Sequence, residues 1–280
     1  MEPNDLVVPV AEGVRLHVRH WSGTGAPFLL VHGLSSNARL WDGMAAALTA
    51  AGHPAYAVDL RSHGESDQPP EGYDTATAAD DLAAVCAALD LPPVIAVGQS
   101  WGGNVVVALA ATRPGVTRAL ALVDGGWIDL RGQFESWEAC ERALRPRELD
   151  GLSERALRAW IRGEHRDWGD WAVDATMANF RIDDSRLQRR LPIPLHMRIL
   201  RSMWDDPPMR HYGSVTVPVL LLPAVPRDAQ RAAARGEAVR KATAALANAT
   251  VKEYPGADHD LHAQHPQRLA RDLLELAARV

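Results

Sequence analysis

Gly98-Gln99-Ser100-Trp101-Gly102 spells Gly-x-Ser-x-Gly, a spacing that can serve nucleophilic chemistry. A serine hydroxyl attacks well only when a base takes its proton and fixed donors steady the oxygen anion that forms. The apolar run Val94–Val97 leads into this pentapeptide and the small and β-branched run Asn104–Thr112 leads out. The pattern therefore predicts a strand, a tight turn carrying Ser100, and a helix. Glycines at 98 and 102 keep side chains clear of a strained backbone at the serine, and the helix N-terminus favours negative charge developing there. A helix-capping serine is the plainer alternative. Two aspartates lie past strand-like runs. Asp124 follows Ala119–Val123 directly and precedes Gly125-Gly126, which gives the backbone freedom to turn a carboxylate inward. Asp228 follows Val219–Leu222 through a proline-punctuated loop and precedes the Ala-rich stretch Ala229–Ala249, where an aspartate readily serves as a helix N-cap.

Further motifs fall in order along the chain. Phe28–Val31 runs into His32-Gly33-Leu34-Ser35-Ser36; Asp59-Leu60-Arg61-Ser62-His63-Gly64-Glu65-Ser66-Asp67 follows, then the serine pentapeptide, then Gly256-Ala257-Asp258-His259 with Pro266 beyond. Together they resemble the α/β-hydrolase superfamily over nearly the whole chain. The resemblance implies an oxyanion hole built from the backbone N–H groups of Leu34 and Trp101, and a base at His259, which comes after the last strand and before the final helix. Relatives usually place the acid after the strand Val219–Leu222, yet here the loop lacks the usual glycine turn and sets Asp228 about one residue late. Asp124 is the expected acid and Asp228 the alternative. Ser62 stands where relatives usually have glycine, which touches nothing catalytic. His32 and His63 are read as loop supports, His262 as lining the site, and His265 as a surface residue. No metal or cofactor is expected, because a serine nucleophile needs none and no HExxH frame accompanies the histidines.

Positioning these groups takes a sheet. Short aliphatic runs at Val14–Val18, Phe28–Val31, Ala55–Val58, Val94–Val97, Ala119–Val123, Val219–Leu222 and Val251–Tyr254 alternate with helical patterns at Thr75–Leu89, Asn104–Thr112 and Gln267–Ala278. Continuous apolar strands alternating with helices predict an α/β fold, the α/β-hydrolase fold of the resemblance, with a mostly parallel sheet covered on both faces. The rhythm breaks over 127–212, which is rich in tryptophan and arginine and broken by prolines. We read 127–212 as an inserted helical cap on a core formed by 1–126 and 213–280. Six of the nine tryptophans fall in it, more than cap packing alone should require, so Trp127, Trp137, Trp160 and Trp204 are candidates for walling an apolar pocket with His262.

Composition narrows the function. Thirty basic against thirty-five acidic residues give −5, with no cationic excess for nucleic acid. Two distant cysteines, Cys86 and Cys140, build neither a disulfide framework nor a CxxC site. No apolar run approaches the ~18 residues of a membrane span, and the start MEPNDLVVPV lacks the basic and apolar regions of a secretory signal. The expectation is a cytoplasmic, cofactor-free serine hydrolase acting on an ester or lactone of a small-molecule substrate, with no nucleic-acid or membrane partner; the oligomeric state is left open. Serine at the elbow argues against the haloalkane dehalogenases and epoxide hydrolases of this fold, which use aspartate there. The alternatives are an amidase similar to prolyl aminopeptidases, whose HGGPG-like loop is replaced here by His-Gly-Leu-Ser-Ser, and a receptor, isomerase or cyclase that reuses the pocket.

Overall fold

The computed structural model describes residues 2–183 and 186–280. Met1 and residues 184 and 185, the latter two inside the stretch read as a cap, lie outside the described residues. A hairpin comes first, β1 (Asn4–Ala11) and β2 (Val14–Trp21). Strands and helices then alternate: β3 (Phe28–Val31), α1 (Asp42–Ala50), β4 (Ala55–Val58), α2 (Thr75–Ala88), β5 (Val94–Gln99), α3 (Trp101–Thr112) and β6 (Thr117–Val123). Between Val123 and Val219 lie α4 (Leu130–Gln133), α5 (Trp137–Leu144), α6 (Glu154–Glu164), α7 (Asp170–Met177), the hairpin β7 (Phe180–Asp183) and β8 (Arg186–Arg189), and α8 (Ile193–Asp205). The chain closes with β9 (Val219–Leu222), β10 (Ala224–Val225), α9 (Ala229–Ala245), β11 (Ala249–Val251), β12 (Tyr254–Pro255), α10 (Leu261–Gln264) and α11 (Pro266–Ala277).

Eight strands form one sheet in the order β1-β2-β4-β3-β5-β6-β9-β11, antiparallel only where β1 meets β2 and β2 meets β4. The period of two along each strand feeds two cores. Leu29 and Val31 of β3, with Leu120 and Leu122 of β6, point into the core under α2, α3 and α8. Phe28 and Leu30, with Ala119, Ala121 and Val123, point into the core under α1 and α11. Strands covered on both faces must be apolar throughout, which is why they read as unbroken aliphatic runs. Helix α3 is buried from Trp101 to Ala110. Each of its large aliphatic side chains contributes about 2 kcal/mol by burial, so packing alone holds it without a side-chain cap.

Three features depart from the sequence reading. Strand β1 is absent from the runs above: its Leu6-Val7-Val8 is broken off by Pro9, and it is an edge strand exposed along most of its length. The single strand expected over Val251–Tyr254 is split, with β11 pairing β9 and β12 pairing β10. Pro223, between β9 and β10, has no N–H to continue a ladder, and the two chains step together into a second small sheet. Lastly, the stretch expected to be helical also carries the hairpin β7–β8.

Candidate active site

Ser100 sits between β5 and α3 at φ 52°, ψ −122°, a conformation that costs a non-glycine residue of order 1–3 kcal/mol. Its surroundings impose it. A side chain at Gly98 would run into the backbone of Gly102, one at Gly102 into the carbonyls of Val31 and His32, and one at Gly125 into the Ser100 backbone. A Cβ at Gly33 would lie 2.8 Å from Ser100 Cβ. The turn is thus wedged between the loops after β3 and β6. Ser100 is the residue before α3, yet its side chain makes no capping hydrogen bond. The plain capping role is therefore not what the hydroxyl does.

Among the described residues, neither the Leu34 nor the Trp101 backbone N–H has an acceptor within the protein. That of Trp101 is the first of a helix, whose opening N–H groups have no intrahelical partner. The Trp101 ring turns away, its Nε1–H donating to Thr75 Oγ1 at 3.1 Å in α2. His32 braces the loop, with Nδ1 2.7 Å from Gly33 O and Nε2 accepting from Leu60 N at 3.1 Å. His63 also serves a loop, Nε2 accepting from Ser35 N at 3.2 Å.

His259 follows β12, and its Nδ1 lies 2.6 Å from Asp124 Oδ2. Asp124, itself at φ 43°, has no exposed side-chain surface. Its other oxygen accepts from Ala224 N at 3.1 Å and from Arg235 Nη1 of α9. Asp228 is elsewhere: it caps α9, accepting from Arg231 N at 2.8 Å. The His259 ring has about half its side-chain surface open, at 49%. Protein surrounds the rest, and this burial, with Arg235 nearby, outweighs Asp260 and lowers its pKa below the usual histidine value. The neutral ring is thereby favoured, with Nδ1 held against Asp124, while Nε2 has no hydrogen-bond partner among the described residues.

Ser100, Asp124 and His259 open onto one cavity of about 1760 Å³. No hydrogen bond joins Ser100 to the imidazole among the described residues; such contacts are commonly loose before substrate binds. Leu34, Trp127, Ile128, Leu200 and Met203 give the cavity an apolar wall. Among the described residues, no three His, Cys, Asp or Glu side chains group so as to hold a metal ion, and no helix is long and apolar enough to cross a membrane.

The pocket expectations need correction. Trp127 lines the cavity, but Trp137, Trp160 and Trp204 do not. Trp137 and Trp204 pack on each other with ring centroids 6.0 Å apart, the Arg201 and Arg131 guanidinium groups lying over them. Trp160 is 62% exposed on α6. His262 is fully buried beneath the site, its ring centroid 4.4 Å from that of Trp41, and burial pushes its pKa to about 4. Aromatic count could not separate rings that line a cavity from rings that staple helices together.

Three contributors went unnoticed in the sequence. Gln99 ties the serine turn to the histidine loop, its Nε2 donating to Asp260 Oδ1 at 3.1 Å and His259 O at 3.3 Å. His196 of α8 faces the cavity with Nδ1 2.8 Å from Ser35 Oγ. Arg235 hides in an Ala-rich helix with no local signal that it reaches Asp124.

A parallel sheet of this order, with a serine turn after β5 and a histidine after the last strands, defines an α/β-hydrolase fold. The alpha/beta hydrolase family model matches residues 28–272, and the chain belongs to that family. It is 28% identical over 284 residues to a non-heme chloroperoxidase of Streptomyces lividans, covering 95% of this chain and 97% of that protein. It is 34% identical over 129 residues to a non-heme haloperoxidase of Rhodococcus erythropolis, covering 46% and 47% respectively. Among solved structures, E-2-(acetamidomethylene)succinate hydrolase superposes with a TM-score of 0.79 at 24% identity over 98% of both chains. An esterase from Exiguobacterium antarcticum does so at 0.75 and 17% identity, over 98% of this chain and 100% of its own. At such identities these two likenesses speak to the fold.

Proposed function

We propose that this chain is a serine hydrolase that cleaves an ester or lactone through an acyl-enzyme. In this reading His259 Nε2 takes the Ser100 proton as Oγ attacks the carbonyl carbon, and the Leu34 and Trp101 N–H groups hold the oxyanion. The imidazolium then gives its proton to the departing alkoxide, and a second cycle with water as nucleophile releases the acid and restores Ser100. Asp124 holds the Nδ1–H tautomer and stabilises the imidazolium. The observation that carries the reading is the 2.6 Å contact between His259 and a fully buried Asp124, opening onto the cavity that holds Ser100. The stretch 127–212 acts as the cap, with Trp127, Ile128, Leu200 and Met203 forming the apolar wall that selects a small to medium apolar substrate.

The test is a panel of esters, lactones, thioesters and aminoacyl amides offered in parallel to the wild type and Ser100→Ala. Turnover of esters or lactones that Ser100→Ala lacks supports the reading; turnover confined to aminoacyl amides, or tight binding without turnover, refutes it. The likeness to the Streptomyces lividans chloroperoxidase favours a second reading, peroxide-dependent halide oxidation. Hydrogen peroxide and bromide in the same assay, again against Ser100→Ala, decide it.

A further inference from the structure

Asp124 sends one oxygen to His259 and the other to two donors, the Ala224 N–H and the Arg235 guanidinium. A carboxylate turns easily about its last bond, a broad two-fold rotor that interchanges its oxygens. Tying Oδ1 down from two sides leaves Oδ2 for the imidazole and fixes the plane in which the ring lies. A carboxylate this deeply enclosed also requires a charged or strongly donating partner, and while His259 is neutral Arg235 is the cation bonded to it. We propose that Arg235 is a positioning residue for the proton relay, acting through Asp124; the inference rests on the roles given above to Ser100, His259 and Asp124.

Helix geometry explains how the group arrives there. Arg235 lies seven residues after Asp228, close to two turns of helix. By accepting the Arg231 N–H, Asp228 sets where α9 begins. The aspartate in the loop where relatives usually place the acid here starts the helix that delivers a guanidinium to the acid. Arg235 also places a positive charge close to the ring that must become imidazolium. Asp260 works the other way, and the buried His262, whose own charge His259 disfavours, is also close by. Asp129, Glu164, Arg166, Asp167 and His196 of α8 line other parts of the same cavity. Arg227 and Arg231 border the cavity near Arg235, and Asp258 precedes the histidine. Among the charged groups of the described residues, only Arg235 is bonded to the Asp124 carboxylate that holds the ring.

The test measures the rate at which a fluorophosphonate phosphonylates Ser100, with loss of fluoride, from pH 5 to 8 in the wild type, R235Q and R235K, with thermal melting alongside. R235Q is expected to react about tenfold more slowly on the alkaline plateau, because the relay loses its alignment. Its acid-limb midpoint should move up by about half a unit or more, because a cation near the imidazolium is gone. R235K keeps the charge but gives up the planar fork, so it should hold the wild-type midpoint while reacting several-fold more slowly. An R235Q rate and midpoint equal to the wild type overturn the proposal. So does an R235K rate equal to the wild type, even if R235Q fails to fold, and so does lowered melting in both variants with unmoved rates and midpoints, which marks Arg235 as an anchor for α9. Absence of label on wild-type Ser100 instead overturns the underlying serine assignment and the inference with it.

Discussion

Two of the Asp–His contacts among the described residues are nearly equal in length and both run through Nδ1 and Oδ2: Asp124–His259 at 2.6 Å and Asp59–His17 at 2.7 Å. They behave differently because of what else each group touches. His17 in β2 has a carboxylate on both nitrogens, its Nε2 lying 3.0 Å from Asp5 Oδ1. Burial opposes its charge, yet the two aspartates outweigh burial and its pKa is raised. Burial also opposes the Asp59 charge, and His17, His32 and the Ala38 N–H overcome it, holding the carboxyl at about 2. In the second pair one imidazole nitrogen stays open to the cavity, and the pKa of His259 is lowered. The same two side chains make a brace bonded at both ring nitrogens and favouring the charged ring in one place, and in the other leave one ring nitrogen open to the cavity and favour the neutral ring.

The largest expected effect falls on the open pair. Asp124→Asn should lower turnover about 10⁴-fold by favouring the wrong tautomer, whereas Asp228→Ala should leave turnover within a few-fold and cost about 1 kcal/mol of stability for its lost cap. The reverse ranking in steady-state kinetics would exchange the two aspartates' roles. The brace should respond in the opposite currency. His17→Ala, which leaves Asp59 buried without its imidazole partner, should cost about 3 kcal/mol of unfolding free energy in urea titration, with kcat changed little. A large kcat loss at full stability would erase the distinction between the pairs.

pH separates them further. Ester turnover should fall as His259 gains a proton, with a midpoint below the ~6.5 of free imidazole, since its pKa is lowered. A midpoint above that value would contradict the neutral-acceptor account. Stability should follow different curves. The raised pKa of His17 makes its contribution complete below ~6.5 and lost as pH rises through its folded value. The depressed pKa of Asp59 makes its contribution complete above ~3.8 and lost as pH falls towards about 2. Urea melts across pH, for wild type and His17→Ala, check both limbs. The smallest contrast lies between two tryptophans: Trp127→Ala should raise KM for apolar esters several-fold, while Trp160→Ala, truncating a ring 62% exposed, should change neither KM nor stability appreciably.

How much of this was legible in the sequence follows from the range of the forces involved. Strands β3, β4 and β9 match their aliphatic runs because burial on both faces leaves a local signature. The Ser100 turn was readable because glycine is demanded by backbone clashes within a few residues. Asp124 could be favoured over Asp228 for a local reason too, a strand end with glycines against a helix start with alanines. What escaped were long-range partners. Gln99 bonds across 160 residues, His196 meets Ser35 across 161, and Arg235 meets Asp124 across 111, and no spacing rule covers such separations. Trp137 and Trp204 were misjudged for the same reason, since pairing between α5 and α8 decides which way each ring faces.

The most direct test of the central claim is to label the wild type, Ser100→Ala and His259→Ala with a fluorophosphonate at pH 7.5 and locate the adduct by peptide mass spectrometry. The account predicts one equivalent on Ser100 in the wild type, none in Ser100→Ala, and labelling slowed by orders of magnitude in His259→Ala. Stoichiometric label on another serine, or undiminished labelling of Ser100 without His259, would contradict it.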